Sequence, residues 1–275
     1  MFRPYHLLLF CISLSLFGCI GRQAYYVSPL YGINPAYRTV PLKMDSVKAA
    51  TYANANLSMG AANEGALDRT HSFTGTLSRS HGFGKFSGHY GGGVTLGSYK
   101  VNPYDSVGNH SSVNYKAINE RAGRYSFGAV GLAGGIHLVS SNRRTEMRFP
   151  GFELSLNKEF GKYGDFRDGM PDSAITFINR SRVFGTVGLY MEVIDKLNKN
   201  ALFGFKIGYG KSFGKGYSRT FREDAFFSDP TGFNFNYLHM NLNLTKGRST
   251  FYAQGNLLRK SVTSLLGMNY KLSKG

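Results

Sequence analysis

Alternation of apolar and polar residues is clearest in residues 125–160. There Phe152, Leu154 and Leu156 alternate with Glu153, Ser155 and Asn157, the period of an extended segment with one apolar and one polar face. Upstream, Val130, Leu132, Ile136 and Leu138 share one face, and mostly small residues occupy the other. A short basic turn at 140–144 joins the halves, and the spacing predicts a hairpin whose strands exceed the usual globular length.

The same period recurs along most of the chain. Ala53, Ala55, Leu57 and Met59 oppose Asn54, Asn56 and Ser58 in 49–60, a short Thr/Ser-rich segment follows at 70–78, and Tyr90, Val94 and Leu96 stand among glycines in 86–99. Beyond the hairpin, in 182–194, Val183, Val187, Leu189, Met191 and Val193 alternate with Phe184, Thr186, Tyr190 and Glu192. Phe203, Phe205, Ile207 and Tyr209 alternate with Gly204, Lys206, Gly208 and Gly210 in 202–213. Leu238, Met240, Leu242 and Leu244 do so with His239, Asn241 and Asn243 in 233–245, and segments at 250–258 and 262–272 close the chain. About ten strands are expected, with eight and twelve as the alternatives, since single-chain bacterial barrels carry an even number.

The connections sort by parity. From the third strand onward they run long at 100–124, short at 140–144, long at 161–181, short at 195–201, long at 214–232 and short at 246–249; the last, 259–261, is short where the pattern asks for long. A soluble sandwich has no reason to sort its loops in this way, whereas an outer-membrane barrel has short periplasmic turns and long external loops. The expected fold is therefore all-β: an antiparallel up-and-down transmembrane β-barrel over residues 49–275. Both ends of such a barrel fall on the periplasmic side.

Composition agrees with this reading. Phe and Tyr number 22 and 18, Trp is absent, and 35 glycines are dispersed along the strand-like segments, as strands that must curve require. Mean hydropathy of −0.24 excludes a helical membrane protein and leaves a barrel open, because half of each barrel strand faces a polar lumen. The net charge of +17 raises nucleic acid as a partner. The basic residues are scattered through turns and loops with no recognition-helix or zinc-finger pattern, so nucleic acid is not expected. Outer-membrane lipid and the phosphates of lipopolysaccharide are the expected counter-charge, with an envelope or surface protein as a further partner.

At the amino terminus, Arg3 and His6 precede an apolar run over 7–17, the length of a signal-peptide core and too short to span a bilayer. Leu16, Gly18 and Cys19 then resemble the lipobox of bacterial lipoproteins, with Phe17 bulkier than the residue usual there. The resemblance implies a signal peptide at 1–18 and a lipidated Cys19. Cys11 leaves with the signal, so no intrachain disulfide is expected. Residues 19–48, punctuated by Pro29, Pro35 and Pro41, read as a lipid-anchored extended tether, with Tyr25, Tyr26, Tyr31 and Tyr37 expected at the headgroup level and packing against the barrel mouth as the alternative. An inner-leaflet lipid on Cys19 would match the periplasmic start of the first strand.

The whole pattern resembles small Gram-negative outer-membrane barrels of the OmpA type, with a bacterial lipoprotein signal added. The resemblance implies localisation to the outer membrane, integral and lipid-anchored. It departs at the carboxyl end, where such barrels often finish on Phe or Tyr and this chain ends Tyr270, Lys271, Leu272, Ser273, Lys274, Gly275.

Candidate chemistry is sparse. Glu153, Glu159, Arg182, Glu192, Lys206 and His239 fall on inward positions, and a lumen of this size is largely filled by side chains, so a paired polar network is expected. Arg167, Arg219 and Arg222 are candidates for contact with lipopolysaccharide or a partner through the long loops. Gly210, Lys211 and Ser212 end like a phosphate-binding loop, but Phe205 stands where the first glycine belongs. No catalytic residue, cofactor or metal is assigned. A hydrolase would need His137 or His239 to meet Ser126 or Ser155 and a carboxylate such as Glu153. The expected function is a non-enzymatic structural, surface-interaction or lipid-binding role in the cell envelope. The alternatives are an outer-membrane enzyme acting on lipid or lipopolysaccharide, and a narrow diffusion pore.

Overall fold

The structure, a computed structural model, describes residues 25–31, 36–42, 49–63, 67–104, 115–171, 177–198, 200–214, 217–218, 235–258 and 261–272. Its strands in chain order are β1 (Tyr25–Tyr26), β2 (Ala49–Ala62), β3 (Asp68–Phe83), β4 (Phe86–Val101), β5 (Gly123–Ser141), β6 (Thr145–Phe160) and β7 (Phe177–Asn179). They continue with β8 (Val183–Asn198), β9 (Ala201–Gly214), β10 (Tyr217–Ser218), β11 (Phe235–Lys246), β12 (Ser249–Leu258) and β13 (Ser261–Lys271). Two short helices, α1 (Tyr115–Asn119) and α2 (Lys162–Asp168), lie in the long connections.

Ten of these strands form a closed antiparallel barrel in the order β2-β3-β4-β5-β6-β8-β9-β11-β12-β13. The seam is β13 against β2, in register from Ser261 with Ala62 to Lys271 with Tyr52. Closure leaves no unpaired edge, which is the condition for strands to stand in hydrocarbon. No described helix is long and apolar enough to cross a membrane.

The burial pattern is that of a soluble protein turned inside out. Leu132 and Leu266 are 69% and 67% exposed on the outer surface, while Asn256 and Asn269 are 0% exposed in the lumen. Exposed leucines are unremarkable singly, but a continuous apolar outer surface over a polar interior marks a lipid-facing barrel. Phe83, Phe86, Phe203, Phe251 and Tyr270 project outward at one end of the strands, where an aromatic girdle belongs.

At that end the connections are short: 84–85, 142–144, 199–200 and 247–248. The opposite end carries the long connections 102–122, 161–182 and 215–234, together with two short ones, 63–67 and 259–260. The expected parity is present, with a second short connection on the long side in addition to the last turn. One strand is longer than the pattern suggests. The Thr/Ser-rich segment at 70–78 is the middle of β3, whose Thr70, Ser72, Thr74, Ser78 and Ser80 are the buried lumen row.

Several inward glycines seat inward aromatic rings. A side chain at Gly151 would put its Cβ 2.5 Å from the Tyr190 ring, and Gly208, Gly210 and Gly267 lie in the same way under His239, Tyr237 and Tyr252. Beyond curvature, glycine here provides the room that bulky lumen side chains need.

The amino-terminal segment runs inside the barrel. β1 pairs in parallel with β7, which pairs antiparallel with β10, making a three-stranded sheet over the long-loop mouth. Beneath it, Tyr26 meets Phe166 at 5.2 Å, Tyr31 meets Phe184 at 4.8 Å, and Tyr99 stacks on Tyr163 at 4.2 Å between ring centroids. Residues 36–42 then descend toward the short-turn end, where Tyr37 packs on Tyr252. Tyr26, Tyr31 and Tyr37 are each no more than 2% exposed. The headgroup position expected for them is overturned, because their rings fill a lumen that a barrel of this size cannot leave empty. β2 and β13 do meet at the short-turn end, but the described chain starts at the other.

Candidate functional site: the occupied lumen

The walls hold residues 36–42 through their backbone. Asn269 Nδ2 donates to the Tyr37 carbonyl at 3.3 Å, Ser80 Oγ to that of Thr39 at 3.1 Å, and Arg148 Nη2 to those of Val40 and Pro41 at 2.9 and 3.4 Å. An extended segment outside any sheet must find such partners once it leaves water. The wall donors come from β13, β3 and β6, so the segment is gripped from several sides.

Arg148 is the centre of the lower lumen. It is 0% exposed, its Nε donates to Glu146 at 2.8 Å and its Nη1 to Glu192 at 2.9 Å. Half-way up, Lys206 Nζ donates to Glu153 Oε2 at 2.7 Å and lies 3.9 Å from the centre of the Tyr190 ring. His239 Nδ1 stands 3.7 Å from the other Glu153 oxygen, and His137 Nδ1 shares a 2.7 Å hydrogen bond with the Tyr190 hydroxyl. A ladder of amides covers the opposite wall: Asn54 with Asn269 at 2.9 Å, Asn56 with Asn54 at 3.2 Å and Gln254 with Asn256 at 2.8 Å.

The residues singled out in the sequence thus separate into four places. Glu153, Lys206 and His239 meet directly, and Glu192 pairs with Arg148 in a separate cluster below them. Glu159 lies higher, paired with Arg167 Nη2 at 2.6 Å. Arg182 sits outside the lumen, just before β8, where Asp165 (2.7 Å) and Asp168 bond it. Its hydrogen bonds to those two carboxylates, Asp165 first, raise the guanidinium pKa above its ordinary value. It falls there because β8 begins one residue later, at Val183.

Arg167 differs most from its expected place in an exposed loop. It is 0% exposed in α2, held by Glu159 and by the Asn179 carbonyl at 2.9 Å, because α2 folds inward over the mouth. Burial likewise pushes the Tyr163 phenol on the same helix well above its usual range. Arg219, Arg222 and Cys19 lie outside the described residues.

Sequence reasoning missed Arg148. Extending the 152–156 alternation down β6 puts residue 148 on the lipid face, but the register shifts between Arg148 and Gly151 on the β8 side and between His137 and Val139 on the β5 side. Phe149 and Pro150 both end up exposed on the outside, and the parity of the strand reverses below them. Pro150 was the available signal, since proline within a strand marks an edge or a bulge.

The arrangement binds and braces more readily than it catalyses. Ser155 Oγ bonds Thr186 at 2.6 Å, and Ser126 is exposed on the outer surface. Neither ring nitrogen of His239 has a hydrogen-bond partner, and His137 bonds Tyr190 alone. The serine, histidine and carboxylate of a hydrolase are not brought together among the described residues.

No protein-family model matches the chain, and no curated protein matches it. Among solved structures it is similar to the translocator domain of autotransporter NalP from Neisseria meningitidis, at 11% identity over 82% of this chain and 89% of that one, with a TM-score of 0.41. It is also similar to the beta domain of the Bordetella autotransporter BrkA, at 11% identity over 82% of this chain and 100% of that one, TM-score 0.39. The KdgM porin in complex with disordered oligogalacturonate is similar at 10% identity over 81% of this chain and 99% of that one, TM-score 0.32.

Proposed function

We propose that this chain is an outer-membrane barrel lipoprotein, acylated at Cys19, whose own amino-terminal segment closes its lumen, and that it serves the envelope as a surface-interaction and lipid-binding protein. The observation that carries the reading is the grip of Asn269, Ser80 and Arg148 on the carbonyls of residues 37–41. A pore needs a continuous water path, and this lumen is occupied by backbone and aromatic rings. An enzyme needs a converged constellation, and serine, histidine and carboxylate do not converge among the described residues.

The reading also selects a leaflet. With the long loops external, Tyr25 lies at the external mouth. From Cys19 to Tyr25 the chain reaches at most about 20 Å, short of the roughly 30 Å of hydrocarbon in a bilayer. An acyl group on Cys19 therefore inserts in the outer leaflet, opposite to the side the strand parity alone suggests.

Two measurements test this. A fatty-acid probe should label the protein and be lost in Cys19→Ala, and an epitope inserted between Gly21 and Arg22 should be detected on intact cells. An epitope reached only after permeabilisation would overturn the orientation. In planar bilayers the purified protein should be silent, and steady single-channel conductance would replace this reading with the pore.

A further inference from the structure

The outer surface carries a second feature, distinct from the lumen. Arg69 on β3, Lys100 on β4 and Arg124 on β5 are direct cross-strand neighbours: Arg69 pairs in register with Lys100, and Lys100 with Arg124. All three are exposed, alternating with the buried lumen row of Thr70 and Tyr99, so they point outward at the long-loop end of the barrel. Among the described residues no acidic side chain pairs with any of them. Neighbouring strands lie about 4.8 Å apart, so the row concentrates three cations within about 10 Å. Like charges directly opposite on a sheet are destabilising, and an anion from outside the chain is the simplest relief.

The rows beneath show what kind of anion. Two positions down each strand, His71, Ser98 and Ser126 form a hydrogen-bonding row in the same register. Two further down, Phe73 pairs with Leu96, and Phe160 lies over Gly128, which opens the apolar belt. From the belt toward the long loops the surface therefore passes from apolar, through hydroxyl and imidazole, to cationic.

We propose that Arg69, Lys100 and Arg124 form a phosphate-binding ledge for a phosphorylated glycolipid of the outer leaflet. Acyl chains, sugar hydroxyls and phosphates follow one another in such a lipid in the order the three rows require. The two guanidinium forks suit phosphate oxygens, and the lysine adds a point charge between them. The assignment rests on the reading above that the long-loop end faces outward.

The test is binding of purified lipid A to the full-length barrel in detergent, followed by native mass spectrometry. Replacing all three with Gln (R69Q, K100Q, R124Q) should weaken binding at least tenfold, and each single replacement two- to fivefold. Arg69→Lys with Arg124→Lys should retain most of it. Dephosphorylated lipid A should bind wild type no better than intact lipid A binds the triple variant. Heat-modifiable gel migration checks that each variant is folded, and the Lys replacements supply a readout if the triple variant is not. Equal affinity for phosphorylated and dephosphorylated lipid, or an unchanged triple variant, would overturn the ledge. Phosphatidylglycerol binding as tightly as lipid A would overturn the glycolipid assignment. If the epitope before Arg22 is reached on intact cells while the triple variant is unchanged, the ledge fails and the orientation stands; an epitope hidden on intact cells removes the orientation itself.

Discussion

Arg148 joins wall and segment in a single side chain, and its removal has two separable consequences. Arg148→Met removes the cation that bonds Glu146 and Glu192, and breaking one side of a buried pair typically costs about 3 to 5 kcal/mol. It also frees the Val40 and Pro41 carbonyls. The expected outcome is a lower urea midpoint for loss of the heat-modifiable band, accompanied by conductance in planar bilayers where wild type is silent. Glu153→Gln keeps a hydrogen-bonding oxygen for Lys206 and should cost less, about 1 to 3 kcal/mol, with the bilayer still silent. A third substitution probes the ring sockets. Gly151→Val drives a side chain into the Tyr190 ring and should destabilise by about 1 to 3 kcal/mol, measured by the same urea titration. The couplings of Arg148 and Gly151 were not legible locally. Arg148 was hidden by a parity reversal two residues away, and Gly151 reads as a curvature glycine until the ring above it is placed.

At the scale of elements, the outward halves of the strands were legible throughout and the inward halves only in part, as in the rows Asn54, Asn56, Ser58 and Glu153, Ser155, Asn157. Leu189, Phe205 and Leu242 announce their face because lipid demands apolar side chains at every second position. The lumen tolerates Thr, Ser, Asn and Gly equally, so β3 with its row Thr70, Ser72, Thr74 reads as a short strand although it spans Asp68–Phe83. Helix α2, Lys162–Asp168, is too short to show a helical period, and its burial of Arg167 depends on Glu159, three residues before its start. Residues 36–42 carry no period at all, and their partners Ser80, Arg148 and Asn269 are far away in the chain. Their one tyrosine, Tyr37, was visible, but the environment of its ring was not. Tyr37→Ala removes the ring that packs on Tyr252. We expect the segment to become cleavable by protease added to the folded barrel, while the heat-modifiable band persists.

For the whole molecule, the loop parity and the even strand count carried the fold class, because closure in lipid permits few alternatives. The net charge of +17 carried less. Its functional part is a matter of placement: three cations in one cross-strand row at one end of the barrel. The same +17 on a different set of positions would leave the fold intact and lose the ledge.

The path of the amino-terminal segment bears on the order of events during assembly. Residues 36–42 lie inside a cylinder whose wall is completed only when the last strand, β13, zips onto β2. Either the wall closes around a segment already laid down, or the free end is drawn afterwards through a packed interior. The buried rings of Tyr26, Tyr31 and Tyr37 favour the first order, since they would have to pass the amide ladder one after another in the second. A compact, fast-folding domain fused ahead of Tyr25 discriminates between the two. Closure around the segment predicts an undiminished folded yield by gel migration, because nothing bulky has to traverse the barrel. Late threading predicts that the fusion stalls with its seam open.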